Sequence, residues 1–193
     1  MHTVAVTRFN DKTWEENCNW RKKNKHDGCI YGSPSIISSD IPTGASVFII
    51  EMNNAHRRIE GIGLIRNQLQ PKKAKIYWDN YYNRYTYKSG YHINRVDFNE
   101  EEKYMIAILE ELIFYGSKHL QRGRGIQKLP ISLLVSECIF KTLGKELLTR
   151  LNYKIALQRL SILQNKKEWI NSNRNTRIVN WLRGIFNTRF GSE

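Results

Sequence analysis

Over roughly the first hundred residues the apolar positions follow a period of two, and beyond them a helical period takes over. His2–Phe9 (HTVAVTRF) alternates, Ala45–Met52 (ASVFIIEM) concentrates β-branched and aromatic residues, and Arg57–Asn67 (RRIEGIGLIRN) sets Ile59, Gly61, Gly63 and Ile65 on one register. The intervening NNAH is turn chemistry, so the last two segments are expected to pair as an antiparallel hairpin. Residues 75–98 (KIYWDNYYNRYTYKSGYHINRVDF) carry aromatics on both faces of two further strands, with KSG as their turn. Short strands at this spacing predict a small mixed or antiparallel barrel.

After Asn99 the expected element is a helix. Asn99 is its N-cap, three acids complement the dipole in its first turn, and Gly116 is its stop. Pro130 opens a second apolar run through Ile131, Leu134, Val135, Cys138 and Ile139, interrupted at Gly144, and a third helical pattern spans Ile155–Ile170. Thr176–Phe190 is amphipathic, with Ile178, Trp181, Leu182, Ile185 and Phe186 on one side and Arg177, Asn180, Arg183 and Asn187 on the other. Arg189 breaks this pattern by falling on the apolar side. The chain is thus expected to be α+β: a barrel domain over residues 1–99, then a helical region over residues 100–193 packed on it or appended to it.

Charge changes the picture. The 193 residues carry 31 Lys and Arg against 18 Asp and Glu, a net +13. Residues 1–117 hold 16 basic and 14 acidic side chains, whereas residues 118–193 hold 15 and four, so the second part carries +11. A field so lopsided favours association with a polyanion, nucleic acid first. The three cysteines, Cys18, Cys29 and Cys138, show no disulfide spacing and suit a reducing compartment. With no signal peptide and no run of membrane-spanning length, the expected location is intracellular: cytoplasm, nucleus, or a virion if the protein is viral.

The stretch from Trp14 to Asn67 is the most distinctive. A Trp-bearing basic segment leads to a small-residue turn, IYGSPS; DIPTGASVFIIEM then opens one strand and IEGIGLIRN forms the next. This order resembles the PUA-like superfamily, which includes the EVE, ASCH and YTH domains, where a G-D-x-V-h-h entry precedes an h-x-G-h-G-x-h strand. Ala45 stands where that pattern has its acidic residue. The resemblance implies a small barrel with a cleft for a nucleobase, modified in some members, held between aromatic side chains. On this chain it implies a base-binding cleft of Trp14, Asn17, Trp20, Tyr31 and Ser33. Stacking an extruded base contributes about 1 to 3 kcal/mol.

Phosphate contacts are expected from two groups. In YGSKHLQRGRGIQKLP, Lys118, His119, Arg122, Arg124 and Lys128 are interleaved with glycines that allow close backbone approach. Arg21 and Lys22, followed by Lys23, Lys25 and His26, lie near the proposed cleft. RYTYKSGYHINR adds Arg84, Tyr85, Tyr87, Tyr91 and Arg95, an interleaving suited to a single strand.

Other chemistry finds little support. Cys18, His26 and Cys29 match no standard zinc spacing, Gly61–Gly63 lacks the third glycine of a dinucleotide loop, and no Walker, G-x-S-x-G or H-E-x-x-H motif occurs. No cofactor or metal is expected. The reading is a nucleic-acid-binding protein, DNA or RNA. One alternative is a viral packaging protein docking a partner through Thr176–Phe190, unless that apolar stripe completes the chain's own core. Another is an ASCH-like hydrolase using Lys12, Thr13 and Glu15 or Glu16.

Overall fold

A computed structural model describes residues His2–Pro130 and Arg174–Gly191. Within them the chain is α+β, with a five-stranded mixed sheet, a separate two-stranded sheet and three α-helices. The expected elements around Ile131–Ile139 and Ile155–Ile170 lie outside these residues.

The first strand, β1 (His2–Phe9), leads through Asn10 into α1 (Asp11–Lys23). Asn10 Oδ1 accepts from the Thr13 N–H at 2.8 Å and Thr13 Oγ1 accepts from the Asn10 N–H at 3.0 Å, a capping box that starts the helix immediately after the strand. Arg21, Lys22 and Lys23 fill the last turn, where cations suit the dipole. A short strand, β2 (Cys29–Ser33), precedes β3 (Ser46–Asn53) and β4 (Arg58–Arg66). The expected β3–β4 hairpin forms, antiparallel from Ser46↔Arg66 to Asn53↔Arg58. A bulge at Glu51/Met52 leaves Glu60 without a facing residue.

Strands β5 (Tyr85–Ser89) and β6 (Tyr91–Asn94) correct an expectation. KSG does not fold them onto each other: β5 pairs with β2 and β6 pairs with β4. Only Gly90 separates them, so the chain turns from one sheet into the other at a corner. Gly28 packs on that corner so closely that a β-carbon there would fall 2.0 Å from the Ser89 carbonyl oxygen.

After α2 (Glu100–Phe114), a two-residue strand β7 (Gln127–Lys128) pairs antiparallel with β1, giving the sheet order β6-β4-β3-β1-β7 with β1 and β3 parallel. The strands lie in two separate sheets and do not close into a barrel among the described residues.

The two faces of the large sheet bury different layers. On one, Val4, Val6, Phe48, Ile50 and Ile62 meet Ile106, Leu109 and Ile113 of α2 and Val179, Leu182, Ile185 and Phe186 of α3 (Arg174–Phe190). The apolar stripe of Thr176–Phe190 is therefore buried in the chain's own core, and that core joins residues from both sides of position 99. Arg189 finds its reason here: it pairs with Glu102 at 2.5 Å and donates to the Asp97 carbonyl oxygen at 2.9 Å. On the other face, Ala5, Phe9, Val47, Ile49 and Ile65 pack against Cys29, Ile30, Tyr31, Tyr77 and Tyr87, with Trp14 and Trp20 alongside.

Candidate functional site

On the α1 side of the large sheet the apolar layer gives way to a polar cluster. Glu51 of β3 lies on the same face as Val47 and Ile49, two and four residues earlier, and is 0% exposed. Its Oε1 accepts from the Tyr31 hydroxyl at 2.7 Å and its Oε2 lies 2.9 Å from His92 Nε2. Arg21 of α1 closes the cluster from above, its Nη1 3.2 Å from His92 Nδ1 and its Nη2 donating to Cys18 Sγ at 3.4 Å. Nη1 also lies 3.4 Å from His92 Nε2, so the guanidinium sits against the imidazole at nearly equal distances from both ring nitrogens. One carboxylate and one guanidinium thus meet at a single imidazole in a water-poor setting.

Gly61 and Gly63 make room for this cluster. A β-carbon on Gly61 would fall 2.7 Å from Glu51 Oε2 and 2.8 Å from His92 Nε2; one on Gly63 would fall 2.1 Å from the Tyr31 hydroxyl and 2.6 Å from Cys29 Sγ. The alternating glycines of β4 are the floor of a slot that these polar side chains fill, with Arg21 of α1 above them.

Electrostatics follow the geometry. Burial pushes the Glu51 carboxyl up, but His92, Arg21 and the Tyr31 hydroxyl outweigh it and hold the group below the usual carboxylate range. Burial, with Glu51 adding to it, pushes the Cys29 thiol up to about 12, so at neutral pH this sulfur is not a thiolate nucleophile. Burial likewise raises the Tyr31 phenol well above its ordinary value.

Two polar atoms on the slot-facing side of α1 are buried without a hydrogen-bond partner among the described residues: Asn17 Oδ1 and Arg21 Nε. Asn17 is 0% exposed, and its Nδ2 donates to the Ile30 carbonyl oxygen at 2.7 Å and to Tyr77 Oη at 3.3 Å. Trp14 stands on the same side, edge-on to Phe9 at 5.2 Å and with Arg21 over its ring at 5.4 Å. A helix places residues 14, 17, 18 and 21 on one face. An orphan acceptor and an orphan donor one turn apart, beside an indole, could be satisfied by a group that carries both kinds of partner on a flat edge.

No family model, curated protein or solved structure matches this chain.

The remaining expected cleft residues separate. Tyr31 is fully enclosed beneath Glu51, with no ring face open to a base. Ser33 is also 0% exposed and donates to the Ser35 carbonyl oxygen at 2.6 Å. Trp20 points toward the small sheet, with Lys88 Nζ over its ring at 5.6 Å and His26 edge-on at 6.2 Å. His26 Nε2 lies 3.2 Å from the Cys29 carbonyl oxygen, and Cys18 and Cys29 are free thiols. Among the described residues no group of three or more His, Cys, Asp or Glu is placed to hold a metal, and no helix is long and apolar enough to cross a membrane. Thr13 serves the capping box, and Lys12 and Glu15 are exposed beside it.

The expected phosphate contacts divide in the same way. Arg21 belongs to the slot, while Lys22 is exposed at the end of α1. Lys118, Arg122, Arg124 and Lys128 are exposed and His119 half-buried, along the edge formed by β7 and its preceding loop. That loop is anchored: Arg8 Nε donates to the Leu120 carbonyl oxygen and Asn54 Nδ2 to that of Gln121 at 2.9 Å. Positive φ at Gly123 (+122°) and Gly125 (+66°) lets it turn, and Gly125 comes so close to Ser33 that a β-carbon would fall 2.6 Å from its Oγ. Burial lowers the Arg8 pKa to about 10.

Sequence reading missed Glu51 and His92, although each carried a signal. Both are ionisable residues set inside short apolar strands, a position that demands a partner. Gly61 and Gly63 lie two residues apart on β4, where two missing side chains on one face mark a close approach.

Proposed function

We propose that the chain binds nucleic acid, holding the phosphate backbone on the basic loop Lys118–Lys128 and reading a base at the slot under α1. The observation that carries this is the pair of buried, unpartnered atoms, Asn17 Oδ1 and Arg21 Nε, beside Trp14. A nucleobase edge offers adjacent donors and acceptors, and its face stacks on indole. The exposed cations of the loop supply the salt-sensitive, sequence-independent part of binding. The resemblance to PUA-like domains enters on the same footing: two sheets facing each other beside a helix would be an open form of that barrel, with α1 over its mouth.

Thr13, one of the residues of the hydrolase alternative, is engaged in its helix cap.

Filter-binding titrations across salt test the proposal. Affinity should fall steeply with salt, and Arg122→Ala with Arg124→Ala should shallow the log–log slope by roughly 0.7 to 0.9 for each lost phosphate contact. Trp14→Leu should leave that slope unchanged while weakening binding on the order of tenfold. Binding that ignores salt would overturn the proposal.

A further inference from the structure

A second surface lies away from the slot, on the connection between β4 and β5. Trp78 is 80% exposed, an unusual position for the largest side chain in a well-built segment. Its neighbours Ile76 and Tyr77 are buried, at 6% and 5% exposure. The turn itself is clamped by buried Asn83, whose Oδ1 accepts from the Ile76 and Tyr77 N–H groups at 2.9 and 3.0 Å and whose Nδ2 donates to the Tyr77 carbonyl oxygen at 2.7 Å. Asp79 Oδ1 caps the short 3₁₀ turn Asn80–Asn83 by accepting from the Tyr81 N–H at 2.9 Å. The indole is thus held out in water by a rigid turn.

The surroundings specify what it meets. Tyr81 is 44% exposed, stands edge-on to Tyr82 at 5.7 Å, and has the Arg84 guanidinium over its ring at 5.8 Å. Lys72, Lys73, Lys75, Arg84 and Lys88 are all exposed, and Asp79 is the lone acid between Gln70 and Ser89. Flat, wet aromatic faces on a stretch rich in exposed cations match a polymer that alternates flat apolar rings with negative charges.

We infer that Trp78 and Tyr81, with the exposed Lys72, Lys73, Lys75 and Arg84 of the same stretch, form a stacking platform for a single-stranded nucleic acid. The inference rests on the proposed nucleic-acid binding and adds where an unpaired strand would lie. The platform needs no base pairing and selects for unstacked bases over duplex, because a duplex buries the ring faces that Trp78 requires.

Fluorescence anisotropy tests it with a labelled twenty-nucleotide thymidine strand and an abasic strand of equal length and charge. Trp78→Ala, which alters an exposed residue and leaves the core intact, should weaken the thymidine strand on the order of tenfold, with the abasic strand and the salt slope unchanged. Trp78→Phe should recover most of the loss, and Arg84→Ala should instead shallow the slope. Equal binding by Trp78→Ala and the parent, while the Arg122/Arg124 variant still loses affinity, would overturn the platform and leave the proposed function standing. Failure of the parent to bind either strand would overturn both. If Trp78→Ala instead abolished binding to phosphatidylcholine–phosphatidylserine vesicles and spared the strands, the surface would be a membrane contact and the platform would fall.

Discussion

Glu51 is the residue on which the slot's electrostatics turn. It is enclosed, paired with His92 and neutralised by Arg21, so Glu51→Gln leaves a mostly buried guanidinium facing a neutral amide. Breaking a buried pair from one side costs about 3 to 5 kcal/mol, and a urea titration should show a loss of that size. Because the folded carboxyl is held below its ordinary value of 4.5, its contribution to stability is complete above that pH and is lost as pH falls below it. The urea midpoint of the parent should therefore drop on acidification from about pH 4.5, and that of Glu51→Gln should drop less steeply. Gly63→Ala should destabilise by roughly 1 to 3 kcal/mol, since its methyl collides with the Tyr31 hydroxyl and Cys29 Sγ. None of these partnerships was legible in the sequence. Forty-one positions separate Glu51 from His92, and only the fold sets them side by side.

At the scale of elements, legibility tracked how local the determining signal is. The strands β1, β3 and β4 were read because alternation and β-branched density are written within each segment, and α2 because its cap and stop are too. Asn99→Ala removes that cap and should cost about 1 kcal/mol of stability by thermal unfolding. The strands β5 and β6 were found, but their partners were misread, since a single glycine corner looks like a hairpin turn until the second sheet is known. The strands β2 and β7 were missed: CIYGS does not alternate and QK is two polar residues on an edge. The stripe of α3 left core and interface open, a choice that packing decides. Leu182, 0% exposed between α2 and the sheet, should lose about 2 to 5 kcal/mol on substitution by alanine.

For the whole molecule, the imbalance of charge resolves into separate places. The described cations of the second part divide between the exposed loop Lys118–Lys128 and α3, where Arg189 is tied to Glu102. The nearly neutral first part holds a second exposed basic stretch around Trp78, which net charge concealed because Glu and Asp elsewhere cancel it. In the proposed function, selectivity would come from aromatic and hydrogen-bonding groups on α1 and on the 72–84 turn, and the two are joined: Tyr77, beside Trp78, accepts from Asn17.

The position of β1 has a consequence for synthesis. It is synthesised before its neighbours, β3 at residues 46–53 and β7 at residues 127–128, and α3 covers it later still. Until residues 127–129 emerge, the backbone groups of β1 around Val4–Val6 that they pair with stay open on that edge. Such an edge invites pairing with another nascent chain, so truncations that end before Gln127 should collect as aggregates during expression while the full chain remains in solution.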